Sequence, residues 1–392
     1  MTKKRKSSSR KRTSKKKSSF SLRALIVLLI LAGLLFVGER FNLFKVDWEV
    51  LVEGGDLEDV IYSPPVEVEP ISGEWYQLYF TSPQYPDEER TRVYTMVDGL
   101  LKAINNAQNS IDMAIYELEL DLVADALLTA KARGVKVRLV TDTDEIETLD
   151  ALIRLKKEGI PIVDDQRGAI MHDKFVIIDG QSVWTGSWNF TSNDTFRNNN
   201  HAIFIQESHL AENYTTEFEE MFVRHEFGPT STANTPNPQI KIGDTLVETC
   251  FAPEDECGDK LVEYIEDAQE SIRFMAFSFT HEAIGAAVEE RARAGVQVRG
   301  IFETRGSETE YSEYGRLLQQ NLDVVQDGNP YTLHHKVFII DNQIVTIGSF
   351  NFSDNADNSN DENMLIVHSP EIAAEFAKEF DRNYTLAQNS TP

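Results

Sequence analysis

The feature that most constrains this chain is a short motif that occurs twice. Each copy has a histidine, one spacer, a lysine, four spacers and an aspartate, followed by six spacers and Gly-Ser-x-Asn. The motif residues are His172, Lys174, Asp179, Ser187 and Asn189 in the first copy and His334, Lys336, Asp341, Ser349 and Asn351 in the second. One H-x-K-x4-D would arise by chance with a probability of roughly a few per cent at average residue usage, but two copies with the same continuation would not. We therefore expect the duplicated motif to form the active site.

The two halves of the chain resemble each other well beyond the motif. QNSIDMAIYEL from position 108 matches QESIRFMAFSF from position 269, and the motif histidines are 162 positions apart. In both halves, β-branched segments alternate with helical segments, and Gly134 or Gly295 stands where a helix end is expected. One fold is therefore used twice. This order predicts the α/β class, with two pseudo-symmetric sandwich halves and one active site at their interface.

The spacing within each motif predicts which side chains act together. Residues two apart on a strand share a face, so His172 and Lys174 point the same way, as do Ser187 and Asn189 after the turn. Two such sets facing each other would hold one phosphate, with one imidazole attacking phosphorus and the other protonating the leaving oxygen. The aspartates of the motifs belong to the catalytic candidates. Their odd offset of seven nevertheless puts them on the opposite face and favours a structural role.

A metal site is the alternative explanation for clustered histidines. Neither half offers a group of His, Cys and Asp at ligand spacing, and the lysines already supply positive charge. The sequence therefore predicts neither a metal ion nor another cofactor. Cys250 and Cys257 are the only cysteines, and the sequence leaves open whether they form a disulfide or stay as free thiols.

The duplicated motif resembles the signature of the phospholipase D superfamily. Bacterial single-chain members are similar also in FAPEDEC (251–257), FMAFSFT (274–280) and DGNP (327–330). The resemblance extends from Trp75 to about Tyr384. It implies a metal-independent phosphodiesterase that acts through a phosphohistidine intermediate. The superfamily includes phospholipases D, cardiolipin synthases and nucleases, so the motif specifies the reaction much better than the substrate.

One departure from the family pattern distinguishes the two halves. Glu362 stands 14 residues after Gly348, where the family has a glutamate that orients a catalytic histidine. The equivalent position in the first half is Asn200. The resemblance adds Glu362 to the catalytic candidates and makes His172 the nucleophile and His334 the acid. Both expectations agree if Glu362 reaches across the interface to His172.

The N-terminal region differs sharply in composition from the rest. Residues 1–23 contain eleven bases and no acid, which leaves 27 bases against 64 acids elsewhere. An uninterrupted apolar stretch follows at 24–38, and no small-residue cleavage site follows it. We expect an uncleaved single-pass signal anchor at 24–41, a basic cytosolic tail at 1–23 and an extracytoplasmic catalytic domain, with a cleaved signal as the alternative. The acidic body disfavours broad electrostatic binding of nucleic acid.

These observations together define a membrane-anchored hydrolase. The expected order after the anchor is a stalk (42–73), the first domain (74–228), a Pro- and Thr-rich linker (229–240), the second domain (241–385) and a tail (386–392). The expected substrate is a phospholipid, and the expected state is a monomer with an internal pseudo-dimer. The alternatives are a nuclease, a cardiolipin synthase-like phosphatidyl transferase, and a degenerate member that binds phosphate without turnover, which the intact motifs argue against.

Overall fold

The computed structural model describes residues 69–390 without a gap, together with two short strands nearer the N-terminus. These strands, β1 (Lys45–Val46) and β2 (Ile61–Tyr62), pair antiparallel. The predicted basic tail, the predicted anchor and most of the predicted stalk lie outside the described residues. Among the helices that are described, none has the length and apolar character needed to cross a bilayer.

Each half contains an eight-stranded mixed sheet, and both sheets have the same strand order. The first half contains β3 (Ile71–Ser72), β4 (Tyr76–Phe80), β5 (Ser110–Ile115), β6 (Lys136–Thr141), β7 (Ile162–Asp164), β8 (Lys174–Ile178), β9 (Ser182–Gly186) and β10 (His201–Ile205). The second half contains β11 (Gln239–Ile242), β12 (Thr245–Ala252), β13 (Ser271–Ala276), β14 (Gln297–Phe302), β15 (Asp323–Gln326), β16 (Lys336–Ile340), β17 (Ile344–Gly348) and β18 (Glu362–His368). The orders are 3-4-10-9-8-5-6-7 and 11-12-18-17-16-13-14-15. The predicted duplication of one α/β fold is therefore confirmed.

The helices follow the same repeat. The first half contains α1 (Thr95–Asn106), α2 (Asp121–Ala132), α3 (Thr143–Ile146), α4 (Asp150–Lys157), α5 (Ser192–Phe196) and α6 (Ser208–Glu219). The second half contains α7 (Cys257–Glu266), α8 (Glu282–Arg293), α9 (Thr304–Ser307), α10 (Glu313–Gln319), α11 (Asp354–Asn358) and α12 (Pro370–Ser390). Gly134 and Gly295 follow α2 and α8 with positive φ, as the helix-end prediction requires.

Three hydrophobic clusters explain how the sheets are covered. Each sheet packs one face against helices of its own half, as Val176 does in the first half and Phe338 in the second. The opposite faces of both sheets contribute to one shared cluster, which contains Phe175 and Val337 together with residues of α6 and α12. The alternation along β8 and β16 thus divides their side chains between two buried layers. This arrangement buries the motif strands completely and joins the halves into one compact unit.

Several predicted boundaries differ from those of the structure. Strand β3 forms an edge of the first sheet, within the range assigned to the stalk, and β11 begins at Gln239, within the range assigned to the linker. Helix α12 continues to Ser390, through most of the predicted tail, because its last turn still packs and Ser390 Oγ donates to the carbonyl of Gly328. Composition alone shows that these segments are polar. It does not show that a neighbouring strand or loop supplies their hydrogen-bond partners.

The two cysteines, Cys250 and Cys257, form a disulfide.

Candidate active site

The two motif histidines lie immediately before the central strands of the two sheets. Lys174 opens β8 and Lys336 opens β16, so each histidine precedes its strand by two residues. Both histidines and both lysines are buried. The backbone N–H of His172 donates to Asp361 O at 2.9 Å, and that of His334 donates to Asn199 O at 3.0 Å. Each histidine is therefore held by a backbone bond to the opposite half.

In each of these backbone bonds, the residue that follows the acceptor contacts the histidine of the opposite half. Glu362 follows Asp361, and its Oε2 lies 2.7 Å from Nδ1 of His172. Asn200 follows Asn199, and its Oδ1 lies 2.9 Å from Nδ1 of His334. The sequence left open which histidine would receive the carboxylate. The structure gives it to His172 because the loops exchange between the halves.

The motif serines contact the orienting residues. Ser349 Oγ donates to Oε2 of Glu362 at 2.7 Å, and Ser187 Oγ donates to Oδ1 of Asn200 at 2.8 Å. Asn200 Oδ1 thus accepts from the serine hydroxyl, and its Nδ2 donates to the carbonyl of Asp194 at 3.0 Å. Both hydroxyls therefore hold the partners of the histidines, and the substrate contacts that we predicted for Ser187 and Ser349 stay a prediction.

The motif asparagines have a different environment from the serines. The side-chain oxygens of Asn189 and Asn351 are buried and have no hydrogen-bond partner among the described residues. A buried polar atom without a partner is uncommon in a folded protein. An amide oxygen can only accept a hydrogen bond, so these two atoms could accept one from a donor of a ligand. The substrate-binding role of Asn189 and Asn351 stays a prediction.

The lysines are fixed in matching ways on the two sides. Lys174 Nζ donates to His172 O and Lys336 Nζ donates to His334 O, both at 2.8 Å. Tyr116 covers Lys174 at 5.3 Å from the ring centre, and Phe277 covers Lys336 at 4.6 Å. Burial lowers the pKa of Lys174 to about 8 and lowers that of Lys336 as well, where the charge of Lys174 adds to the effect. Two ammonium groups thus share one buried space, which is suited to an anion.

Burial also governs the histidines. It lowers the pKa of His172 well below its usual value, and the charges of Lys174 and Lys336 add to that effect. Burial likewise lowers the pKa of His334, although the carboxylate of Asp194 opposes the change. Since both lysines act on both histidines, the two motifs face one another. Both imidazoles are neutral near pH 7 without substrate.

The motif aspartates do not reach this space. Asp179 accepts from the backbone N–H groups of Gln108, Asn109 and Ser110, and Asp341 accepts from those of residues 269–271. Burial raises the pKa of each aspartate, but these backbone bonds outweigh it and lower the pKa below the usual value. Their inclusion among the catalytic candidates is corrected: each anchors the start of β5 or β13 at the turn of its hairpin.

Asp194 is a site residue that we did not predict from the sequence. It lies on α5 and is buried, and its Oδ2 is 3.6 Å from Nδ1 of His334. Its position is the eighth after Gly186, and the eighth after Gly348 is Ala356. Alignment of the two halves already shows this difference, but the sequence does not show that the short helix turns the carboxylate toward a histidine.

The surroundings of the two histidines also differ. Next to Phe277, a groove of about 330 Å³ extends from the His334 side and is lined by Phe279, Arg305 and Tyr311 among others. On the His172 side, Tyr116 replaces Phe277, and Glu117 lies close enough to interact with Lys174. Burial raises the pKa of Glu117 to about 7. The two sides of the site therefore differ: Phe277 packs against His334, and Tyr116 packs against His172.

A group of three glutamates lies close together outside the motifs. Glu217, Glu220 and Glu254 bring oxygens within 4.8 Å of one another. Spacing of His, Cys and Asp did not reveal this group because all its members are glutamates. Burial raises the pKa of Glu217 well above its usual value and that of Glu254 to about 7, while Glu220 already binds Arg224 and Asn234.

Comparisons with known proteins agree with this geometry. The family described as cardiolipin synthase, PLD-like domain matches residues 100–222 and 261–384. A phospholipase D of Rickettsia bellii is 33% identical over 147 residues, which cover 36% of this chain and 73% of that protein. A mitochondrial cardiolipin hydrolase of Xenopus tropicalis is 32% identical over 133 residues, covering 34% of this chain and 62% of that protein. The chain belongs to the phospholipase D superfamily, and it is a phosphodiesterase of that type.

A solved structure supports the architecture of the whole catalytic region. The phosphatidylserine synthase of Haemophilus influenzae Rd KW20 superimposes with a TM-score of 0.58, covering 83% of this chain and 88% of that protein. Its sequence is only 12% identical. The likeness therefore concerns the fold alone.

Proposed function

We propose that this protein hydrolyses the phosphodiester of a phospholipid through a phosphohistidine formed on His172. The contact between His172 Nδ1 and the carboxylate of Glu362 carries this assignment. An Nδ1–H that donates to a carboxylate leaves the lone pair on Nε2 and makes the ring more basic. His334 has an amide in the equivalent place, so it is the weaker base and the better acid.

The first step transfers the phosphoryl group to the enzyme. Nε2 of His172 attacks phosphorus, so an N–P bond forms while the P–O bond to the leaving alcohol breaks. His334, protonated on Nε2 once the anionic substrate is bound, gives that proton to the leaving oxygen. The ammonium groups of Lys174 and Lys336 bind the remaining phosphate oxygens, together with the side-chain N–H groups of Asn189 and Asn351.

The second step returns the enzyme to its starting state. His334, now neutral, takes a proton from water, and the oxygen of that water bonds to phosphorus. The N–P bond to His172 breaks and releases the phosphate monoester, and His334 gives its proton back to solvent as the product leaves. No metal ion is needed in either step because two buried lysines neutralise the phosphate.

Phospholipid is the substrate that the remaining observations favour. Relatives that share this domain are named phospholipase D and cardiolipin hydrolase. The chain outside residues 1–23 carries 27 bases against 64 acids, which opposes the wide phosphate contacts of a nucleic-acid enzyme. We also propose that the protein acts as a monomer, since each half supplies the orienting residue that the other half lacks.

The location of the enzyme is part of the proposal. We propose that residues 24–41 anchor it in a membrane as an uncleaved signal anchor with the catalytic region outside the cytosol. The full chain should then stay with membranes after alkaline washing. Recovery of a mature chain that begins near residue 39 would show that the apolar stretch is removed.

An activity panel tests the substrate class. The full chain is incubated with phospholipid vesicles of defined head group, with single-stranded DNA and with double-stranded DNA, and His172→Ala serves as the matched inactive control. Release of head-group alcohol and formation of phosphatidic acid in the wild type alone is the expected result. Cleavage of DNA with no turnover of any vesicle would overturn the phospholipid assignment.

A further inference from the structure

The two histidines each have one carboxylate, but the carboxylates come from different positions. Glu362 contacts His172 directly, and the position of Asp194 in that repeat holds Ala356. On the other side, Asn200 contacts Nδ1 of His334 directly, and Oδ2 of Asp194 lies 3.6 Å from the same nitrogen. The site therefore has two acidic groups in a complementary arrangement, one in direct contact and one at a longer distance.

The carboxylate of Asp194 is buried next to His334 and is held there by hydrogen bonds. It is 4% exposed, and the N–H of Asn189 donates to its Oδ2 at 3.1 Å. The amide of Asn198 donates to its Oδ1 at 2.5 Å. Burial raises its pKa, but the charge of His334, these bonds and Lys336 together outweigh burial, so the carboxyl stays ionised. A buried carboxylate held by two donors and aimed at an imidazole supplies a fixed negative charge.

The other groups around His334 act in the opposite sense. Burial disfavours its protonated form, and so do the charges of Lys336, Lys174 and His172. Asp194 is the group that opposes them. An imidazole with a neutral amide as its only partner would hold a proton poorly in this environment.

We propose that Asp194 is a positioning residue for the acid step, whose carboxylate, 3.6 Å from Nδ1 of His334, stabilises the protonated form of that histidine. The inference rests on the proposed roles of His172 and His334. Asn200 Oδ1 and Asp194 Oδ2 both approach Nδ1 of His334, at 2.9 and 3.6 Å. With this negative charge nearby, His334 takes up a proton when the substrate binds and releases it to the leaving oxygen.

Leaving-group dependence distinguishes this role from a structural one. Synthetic phosphodiesters with nitrophenol, phenol and a simple alkyl alcohol as leaving groups need progressively more help from an acid. General acid catalysis contributes about a hundredfold to ten-thousandfold, and Asp194 supports part of that. Asp194→Asn should lower kcat about tenfold to a hundredfold with the alkyl alcohol and no more than about threefold with nitrophenol. An equal loss with all three would show that Asp194 only holds the fold.

The repeat provides a control and a rescue. Asp354→Asn changes a mostly exposed aspartate of the equivalent helix α11 and should leave all three rates unchanged. The double change Asp194→Ala with Asn200→Glu reproduces the Ala356 and Glu362 pair of the second half. It should recover the alkyl rate to within about fivefold of the wild type, whereas Asp194→Ala alone should not. A double variant that folds but is no better than Asp194→Ala would contradict the proposal.

These measurements do not depend on the natural substrate. If the wild type cleaves the synthetic diesters but no phospholipid, the proposed substrate class fails and the Asp194 test still gives a result. If Asp194→Asn shows the leaving-group pattern while His334→Ala does not, the acid has been assigned to the wrong histidine, and the proposal for Asp194 fails with it.

Discussion

Replacing Glu362 by glutamine tests the direct contact between the halves. Oε2 of the carboxylate accepts a hydrogen bond from Ser349 Oγ at 2.7 Å and lies 2.7 Å from Nδ1 of His172. Glutamine can keep an oxygen at the same place, as Asn200 does beside His334. The change therefore removes the charge and preserves most of the packing. We expect a slower formation of the phosphohistidine with little loss of stability.

The size of this effect follows from the change in one hydrogen bond. A buried bond to a charged group contributes about 1.5–3 kcal/mol and a neutral one about 0.5–1.5 kcal/mol, so the expected difference is about 1–2 kcal/mol. At about 1.4 kcal/mol for each factor of ten, Glu362→Gln should form the intermediate about five to thirty times more slowly. Burial raises the pKa of Glu362 to about 8, although Lys174 and Ser349 oppose it. The advantage of the wild type should therefore be largest above pH 8 and should shrink as pH falls below it.

The assay is rapid-mixing measurement of the nitrophenol burst from a nitrophenyl phosphodiester, at pH 6 and pH 9. The good leaving group removes the need for an acid, so the burst reports the attack of His172. Asn200→Ala, which changes the partner of the other histidine, is the matched control and should slow the burst less. A Glu362→Gln burst within twofold of the wild type at pH 9 would refute the reasoning.

Three other predictions concern metal independence, the shared site and a buried acid. Turnover should persist in excess EDTA, because Lys174 and Lys336 do the work of a metal; activity that disappears and returns with one metal ion would contradict this. His172→Ala and His334→Ala should each remove most phospholipid hydrolysis. The double variant should be little worse, since the effects of groups that act as a unit are not additive. A single variant with a near wild-type rate would exclude a shared site. Glu303 is buried and its pKa is raised to about 7 by burial and by Asp327. Its folded-state pKa exceeds the usual 4.5, so the wild type should lose about 1–3 kcal/mol of stability relative to Glu303→Gln as pH rises from about 4.5 through 7. The difference in Tm between the two proteins at pH 5 and pH 8 measures this, and a difference independent of pH would count against a buried neutral carboxyl.

The duplicated motif made much of the fold predictable. The repeat predicted strands alternating with helices in each half, and Gly134 and Gly295 follow α2 and α8 where helix ends were expected. Strands β10 and β18 were not assigned from the sequence, because they follow the motif and carry polar residues such as His201 and Glu362 at the site. Their pairing with β4 and β12 depends on contacts distant in sequence, which local patterns do not show.

The chemistry of the site was predictable to a similar extent. The period-two rule placed each histidine with its lysine and excluded Asp179 and Asp341 from their face, yet motif membership kept them among the catalytic candidates. The contact of Glu362 with the histidine of the other half was inferred from family resemblance. Residue patterns could not show it, because it depends on the backbone bonds at Asp361 and Asn199. The hydroxyls of the two serines and the carboxylate of Asp194 find their partners only once those loops have crossed.

The most direct test of the account is to trap the intermediate. His334→Ala lacks the group that activates water in the second step, and a nitrophenyl phosphodiester makes the first step independent of the acid. Peptide mapping after mixing the two should find the phosphoryl group on His172, and the His172→Ala protein should carry none. A label on His334 in the His172→Ala protein, with none on His172 in the His334→Ala protein, would exchange the two roles and contradict the account.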